Sequence, residues 1–254
     1  QNLENGLIRK KISFLGSYNE RIPCYFFYHQ EKQNQVGLVV PSGHGEGIQE
    51  NAGIVGSYQN ANALELAKAG YATITCENRG QGELARFVKI KKEYQENIYT
   101  GITEVKFPDH FEKKLYKEED LSNLSKYERG FYRQIETDQI PDILKANSYL
   151  GLLLEDQRKA LDYLESLDYI DKNKFGSAGG SLGGEISFYL AAIDQRVKSV
   201  VVMGWLTNWT ELLDDIGDWR IEGIESHFPS MADIGLLLSP RYSLFHNGAQ
   251  EGKH

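Results

Sequence analysis

The chain opens on two β-rich segments and continues in short, unbroken apolar runs. Gly6 to Leu15 and Arg21 to His29 flank a turn-like cluster, and this pattern predicts an antiparallel hairpin. From residue 36 onward the apolar runs are continuous, as expected of strands buried on both faces. These runs are Val36–Val40, Tyr71–Cys76 and Arg196–Met203, with a further strand predicted within Ser239–Gly248.

Helical patterns separate these strands. Apolar residues recur at helical spacing within Asn60–Lys68 and Leu153–Leu167, and an apolar, helix-favouring segment runs from Ile186 to Ile193. The segment Thr207–Asp233 has a mixed pattern. Because strand and helix alternate, the sequence predicts an α/β fold with a doubly wound, mostly parallel sheet after the antiparallel hairpin.

A long segment from about Ala85 to Ser148 breaks this alternation. It is rich in Lys and Glu and shows no clear strand, so we predict a helical insertion. Two interpretations stay open: a solvated excursion anchored by its aromatics, or a lid that places an aromatic side chain near Ser181. The aromatics are Phe87, Tyr94, Tyr99, Phe107, Phe111, Tyr116, Tyr127, Phe131 and Tyr132.

Composition narrows the function classes. The 254 residues are 41% hydrophobic and suffice for one large domain or two small ones. A net charge of −8 argues against nucleic acid as a partner, and no apolar run reaches the length of a membrane span. Cys24 and Cys76 both lie in apolar runs. We therefore expect them to pack as buried thiols and not to form a disulfide framework. Oligomeric state stays open, as does compartment: a soluble chain that starts at Gln1 fits a cytoplasmic protein or an exported one whose leader was removed.

A glycine-dense turn carries the candidate chemistry. Gly179 to Gly183 spell G-x-S-x-G between a predicted strand and a predicted helix. This is the pattern of a nucleophile elbow, which lifts the hydroxyl of Ser181 above a sheet. The alternative is a glycine-rich turn with an ordinary serine. A phosphate-binding loop is excluded because Glu185, and no lysine, follows Gly184.

Three glycine-rich loops each follow a predicted strand. They are Ser42–Gly47, Asn78–Gly82 and Gly179–Gly184. Since sites in parallel sheets form at the carboxyl ends of strands, we expect the three loops to meet at one edge.

These motifs, in this order, resemble the α/β-hydrolase family, within its acetyl-xylan-esterase-like and dienelactone-hydrolase-like branch. The resemblance covers nearly the whole chain except the insertion. It rests on Ser42-Gly43-His44-Gly45, Gly70-Tyr71, Asn78 to Glu83, Arg158 to Leu164, Gly179 to Glu185 and Leu237 to Arg241. It implies a serine esterase that cleaves a carboxylic ester, with a small-molecule or carbohydrate acetyl ester as substrate and with no cofactor or metal.

The resemblance also implies roles for particular residues. Ser181 would be the nucleophile, and the backbone N–H groups of Leu182 and His44 would form the oxyanion hole. Glu251 would orient the catalytic base, unless it is a solvated terminal residue. His254 would be that base only if the tail folds back across the sheet edge.

The other histidines have weaker claims. His227 and His246 are expected to be structural. His44 with Glu46 has the look of a metal pair, but two residues do not make a site.

The chain departs from the family in three ways. The acid that follows the late strand is commonly Asp in the family, whereas this chain offers Glu251. Ser42 stands where these hydrolases usually carry a histidine, so we expect a differently braced loop. The family's catalytic histidine follows a further strand, so residues 1–254 are expected to form a single α/β-hydrolase domain that is incomplete at its C-terminus, with the lid-like insertion at about 85–148. The alternative function is a catalytically incomplete or degenerate binding module.

Overall fold

A computed structural model describes residues 1–99, 110–135, 148–206 and 227–248. Its strands are β1 Leu7–Leu15, β2 Arg21–His29, β3 Gly37–Val39, β4 Ala72–Cys76, β5 Arg86–Ile90, β6 Phe111–Tyr116, β7 Tyr132–Ile135, β8 Phe175–Gly180, β9 Val197–Met203 and β10 Tyr242–His246. Its helices are α1 Ile48–Asn51, α2 Asn62–Lys68, α3 Lys92–Tyr99, α4 Lys126–Arg129, α5 Tyr149–Glu165, α6 Leu182–Ile193 and α7 Met231–Leu236.

Seven strands form one sheet in the order β1-β2-β4-β3-β8-β9-β10. β1 pairs with β2 from Leu7 opposite His29 to Leu15 opposite Arg21, which confirms the predicted hairpin. β2 is also antiparallel to β4, whereas the pairs from β4 to β10 are all parallel. The predicted doubly wound, mostly parallel sheet is therefore confirmed.

Two apolar layers cover the sheet. Phe26 packs in a large cluster with buried residues of α5, α6 and α7. The next residue, Phe27, packs in a second cluster with Ala63 and Ala67 of α2. Because successive strand residues point to opposite faces, these clusters lie on the two sides of the sheet, and the carboxyl edge stays available for loops.

Cys24 and Cys76 form a disulfide. They lie directly opposite each other in the antiparallel pair β2–β4, with their Cα atoms 4.1 Å apart. The prediction of two separate thiols is wrong, because the pairing of strands 52 residues apart is not visible in the sequence.

The insertion differs from its prediction. It contains helices α3 and α4, but it also contains β5, β6 and β7, which form a three-stranded antiparallel sheet in the order β6-β5-β7. The expectation of a helical segment without strands is therefore wrong. These strands are short and carry charged residues on a partly exposed surface, so the apolar alternation that predicts a strand is weak.

The insertion is tied to the main domain beside β4. Gln134 of β7 donates a hydrogen bond to the carbonyl oxygen of Gly80 at 2.9 Å. Arg86 of β5 pairs with Glu20 at 2.7 Å. Several of its aromatics contact one another, including Tyr116 with Tyr132 and Tyr127 with Phe131. These contacts lie within the insertion, so anchoring of the insertion by its aromatics stays a prediction. Its role as a lid stays a prediction.

β10 forms the end of the large sheet in the part of the chain that the structure describes. All five of its residues are exposed, including Tyr242, Leu244 and Phe245. Among the described helices, none has the length and apolar character that crossing a membrane requires.

Candidate active site

Ser181 stands at a sharp turn from β8 into α6. It immediately precedes the helix, with φ 54° and ψ −129°, a backbone conformation that non-glycine residues rarely adopt. Its N–H donates to the carbonyl oxygen of Met203 at 2.9 Å, which holds the turn against β9. The side chain is half-buried. The predicted elbow geometry is confirmed.

The glycines around Ser181 are required by close backbone contacts. A Cβ on Gly179 would lie less than 3.0 Å from the carbonyl group of Gly183. A Cβ on Gly183 would lie less than 3.0 Å from the carbonyl oxygen of Pro41. Larger residues would push α6 away from both β8 and the end of β3, so the G-x-S-x-G spacing follows from packing.

The loop after β3 lies beside this elbow. A Cβ on Gly43 would stand 2.9 Å from the carbonyl oxygen of Gly180, the residue before Ser181. The first turn of α6 meets the same loop at Pro41 and Ser42. Ser181 is thus flanked by this loop on one side and by the N-terminus of α6 on the other, where helix N–H groups and the helix dipole favour negative charge.

Two asparagines brace the start of the loop. The side-chain amide of Asn78 donates to the carbonyl oxygen of Ser42 at 2.8 Å. The amide of Asn51 donates to the carbonyl oxygen of Val40 at 3.1 Å and to the hydroxyl of Ser42 at 3.3 Å. All of these side chains are buried. This network shows how the loop is braced with Ser42 in place of histidine.

The middle of the loop is held by a buried amide–carboxylate pair. Gln59 accepts a hydrogen bond from the N–H of Gly43 at 2.8 Å. The amide of Gln59 also donates to Glu50, which accepts from the N–H of Glu46 at 3.1 Å. The bonds to the N–H groups of Gly43 and Glu46 fix the backbone of the loop, so the loop is pre-organised before any substrate arrives.

Glu77 joins the loop to the glycine-rich turn after β4. Its carboxyl group accepts from the N–H of Ile48 at 3.2 Å and from the N–H of Glu83 at 3.1 Å. A Cβ on Gly47 or Gly82 would collide with the same carboxyl group, and both glycines have positive φ. The three glycine-rich loops therefore meet at one edge of the sheet, as predicted.

Burial of Glu77 shifts its titration. Desolvation raises the pKa of this carboxyl to about 8, although the backbone N–H groups of Glu83 and Ile48 oppose the shift. The carboxyl group of Glu77 therefore titrates close to the neutral pH at which most enzymes work.

A buried ion pair fixes the turn after Asn78. Arg79 makes two hydrogen bonds to Asp156 of α5, at 2.7 and 3.0 Å, and both side chains are almost fully buried. The carbonyl oxygen of Arg79 accepts from Tyr149 at 2.8 Å. The turn that carries Asn78 is thereby fastened to α5.

Tyr58 reaches the elbow from outside the predicted motifs. Its hydroxyl donates to the carbonyl oxygen of His44 at 2.9 Å and lies next to the side chain of Ser181. Burial raises the pKa of Tyr58, and the nearby Glu50 raises it further, whereas the neighbouring Ser181 hydroxyl lowers it. No sequence motif marks Tyr58, because the loop that carries it is placed by tertiary contacts.

The other predicted site residues have different outcomes. Leu182 is the first residue of α6. The first helical hydrogen bonds run from the N–H groups of Gly184 and Glu185 to the carbonyl oxygen of Ser181. The N–H of Leu182 lies before these donors, at the helix end where N–H groups have no partner within the helix. His44 lies in the braced loop with an exposed side chain. Glu251 and His254 lie outside the described residues.

Within the ranges that the structure describes, two further points can be stated about histidines and metal ligands. There, no hydrogen bond or ion pair joins His227 or His246 to Ser181. Within the same ranges, no cluster of three or more His, Cys, Asp or Glu side chains is arranged to hold a metal ion.

Comparison with known proteins identifies the family. Residues 10–215 match the family model of acetyl xylan esterases (AXE1). The candidate hydrolase YtaP of Bacillus subtilis (strain 168) is 31% identical over 97 residues, which are 36% of this chain and 32% of that protein.

Solved structures share the fold. A candidate acetyl xylan esterase from Bacteroides fragilis NCTC 9343 matches 96% of this chain with a TM-score of 0.65 and 17% identity, and this chain covers 60% of it. A glucuronoyl esterase from Solibacter usitatus matches 100% of this chain with a TM-score of 0.60 and 14% identity, and is covered over 67% of its length. Acetyl xylan esterase 1 from Thermoanaerobacterium sp. JW/SL YS485 matches 96% of this chain with a TM-score of 0.53 and 16% identity, and is covered over 68%. The chain thus spans less than two thirds of the Bacteroides protein and of YtaP. It belongs to the acetyl xylan esterase family and has the α/β-hydrolase fold.

Proposed function

We propose that this protein is a serine hydrolase that cleaves a carboxylic ester through an acyl-enzyme on Ser181. The observation that carries the proposal is the strained backbone of Ser181 at the N-terminus of α6, beside a braced loop. Strain of this kind persists only where the surrounding structure enforces it, and it clusters at functional sites.

The geometry supports the first chemical step. The Ser181 oxygen attacks the ester carbonyl, its proton passes to a base, and the carbonyl oxygen becomes an oxyanion. In this proposal the N–H groups of Leu182, at the start of α6, and of His44, in the braced loop, would donate to that oxyanion. Expulsion of the alcohol, which takes the proton from the base, leaves the acyl-enzyme, and water then releases the acid.

The base and its orienting acid are the remaining part of this proposal. In these hydrolases the nucleophile is followed along the chain by the acid and then by the histidine. Glu251 stays the predicted acid, and His254 stays the predicted base on the condition that the tail folds back across the sheet edge.

The substrate class is the finer part of the proposal. Family membership favours an acetyl group on a carbohydrate, such as an acetylated xylo-oligosaccharide. An acetyl ester places a small acyl group beside the backbone of the oxyanion loop, while the alcohol side of the substrate faces solvent.

Acetate release tests this function. The wild-type protein should release acetate from acetylated xylo-oligosaccharides and from p-nitrophenyl acetate. Replacement Ser181→Ala should lower kcat by about 10⁴-fold or more, because loss of the nucleophile leaves only residual catalysis. Ser243→Ala, at an exposed position on β10, is the matched control and should leave kcat unchanged.

One result would contradict the hydrolase assignment. If the wild-type protein binds the oligosaccharide but releases acetate no faster than Ser181→Ala, the protein acts as a binding module.

A further inference from the structure

The hydroxyl of Tyr58 lies in a notch between the braced loop and the elbow. It donates to the carbonyl oxygen of His44 and lies next to the side chain of Ser181. A Cβ on Gly43 would collide with this hydroxyl and would also lie 2.9 Å from the carbonyl oxygen of Gly180. Glycine at position 43 thus gives the phenol access to Ser181.

Tyr58 is not held in a packed core. The residue is 59% exposed overall, and its hydroxyl is fixed by the bond to His44. A tyrosine held only for packing would bury its ring. The polar end is therefore the part of the side chain that is a candidate for a role.

The position of this hydroxyl defines what it can do. A phenol has one O–H to donate, and in the free protein that proton is directed to the carbonyl oxygen of His44. The phenol oxygen is therefore left to accept from the neighbouring serine hydroxyl. Once Ser181 has bonded to the ester carbon, the serine proton is gone and the phenol oxygen no longer has it to accept. The phenol O–H can then rotate toward negative charge that develops beside Ser181.

We propose that Tyr58 is a further catalytic residue, whose hydroxyl orients the Ser181 hydroxyl before attack and donates to the oxyanion after it. This inference rests on the proposed serine hydrolase function. It adds a side-chain donor to the two backbone donors of Leu182 and His44.

The local electrostatics suit a donor. Burial and Glu50 hold the pKa of Tyr58 above its ordinary value, so the phenol keeps its proton at neutral pH. A neutral donor stabilises an oxyanion through a hydrogen bond and needs no proton transfer.

The test uses Tyr58→Phe, which keeps the ring and removes the hydroxyl. With p-nitrophenyl acetate we expect kcat to fall about 100-fold, the usual effect of losing one oxyanion donor, while KM stays within about threefold. Affinity for a phenylboronic acid, which forms a tetrahedral anion on the serine, should fall by a similar factor. Binding of acetate, the product, should not change. Tyr71→Phe, on an exposed tyrosine just before β4, is the matched control.

The outcomes separate this inference from the function on which it rests. A kcat for Tyr58→Phe within about threefold of wild type would overturn the inference. A fall in kcat accompanied by a lower melting temperature and equally weakened product binding would also overturn it, because Tyr58 would then only brace the loop. If a fluorophosphonate fails to label Ser181 in the wild-type protein, the proposed function itself fails.

Discussion

Gly183 of α6 lies directly against the carbonyl oxygen of Pro41, at the end of β3. The contact joins the helix that begins after the candidate nucleophile to the loop that carries the candidate oxyanion donor. The contact leaves no room for a side chain at position 183. The position of the Leu182 N–H relative to the His44 N–H therefore depends on Gly183 having no Cβ.

Replacement Gly183→Ala should therefore disturb both stability and the site. Its Cβ meets backbone, which cannot rotate away, so α6 or the loop must shift. We expect a loss of about 1–3 kcal/mol in the free energy of unfolding, as for other overpacked sites, measured by urea denaturation. Labelling of Ser181 by a fluorophosphonate should slow as well.

Gly235→Ala in α7 is the matched control for this change. A Cβ there would meet nothing within 4 Å. Since alanine favours a helix more than glycine does, the control should be neutral or stabilising by up to about 1 kcal/mol. Equal effects of the two substitutions would show that the contact with Pro41 is not tight.

Removing one side of the buried Arg79–Asp156 pair should destabilise the protein strongly. Asp156→Asn leaves the Arg79 guanidinium buried without its counter-charge. The expected loss is about 3–5 kcal/mol in the free energy of unfolding. Asp162→Asn, which breaks a largely exposed pair with Arg196, should cost no more than about 1 kcal/mol. Chemical denaturation of both variants checks the difference, and a loss below about 1 kcal/mol for Asp156→Asn would contradict it.

Glu77 should make stability depend on pH. The pKa of its carboxyl is about 8 in the folded protein against an ordinary value of 4.5, so between these values the folded state holds a proton that the unfolded chain has released. The Glu77 contribution to the free energy of unfolding is therefore present at low pH and is lost as pH rises to about 8. The slope is about 1.4 kcal/mol per pH unit.

The variant Glu77→Gln isolates this effect. Glutamine does not titrate, so the variant lacks this pH dependence. The unfolding free energy of the wild type should therefore fall relative to that of the variant from about pH 5 to about pH 8. Glu65→Gln, on the exposed surface of α2, should show no such trend. A constant difference across this range would mean that the Glu77 carboxyl is already ionised at pH 5.

The sequence predicted what depends on local patterns. Strands β1 to β4, β9 and β10 follow the β-rich and apolar segments of the sequence. The elbow after β8 follows from the glycine spacing around Ser181. The meeting of three glycine-rich loops followed from one rule, that sites form at the carboxyl ends of parallel strands.

The remainder depends on tertiary contacts between distant residues. The Cys24–Cys76 disulfide needs the antiparallel pairing of β2 with β4. The buried position of Glu77 and the approach of Tyr58 to Ser181 arise from the packing of loops, which no spacing in the chain encodes. The strands of the insertion are too short and too charged to show a clear period of two.

Intact-mass measurement after treatment with a fluorophosphonate tests the central claim most directly. An activated serine forms one covalent phosphonate adduct, whereas an ordinary serine hydroxyl does not react. We predict one adduct per chain. Peptide mapping should locate it on Ser181, and it should be absent from Ser181→Ala. No adduct on the wild-type protein, or an adduct that persists in Ser181→Ala, would contradict it.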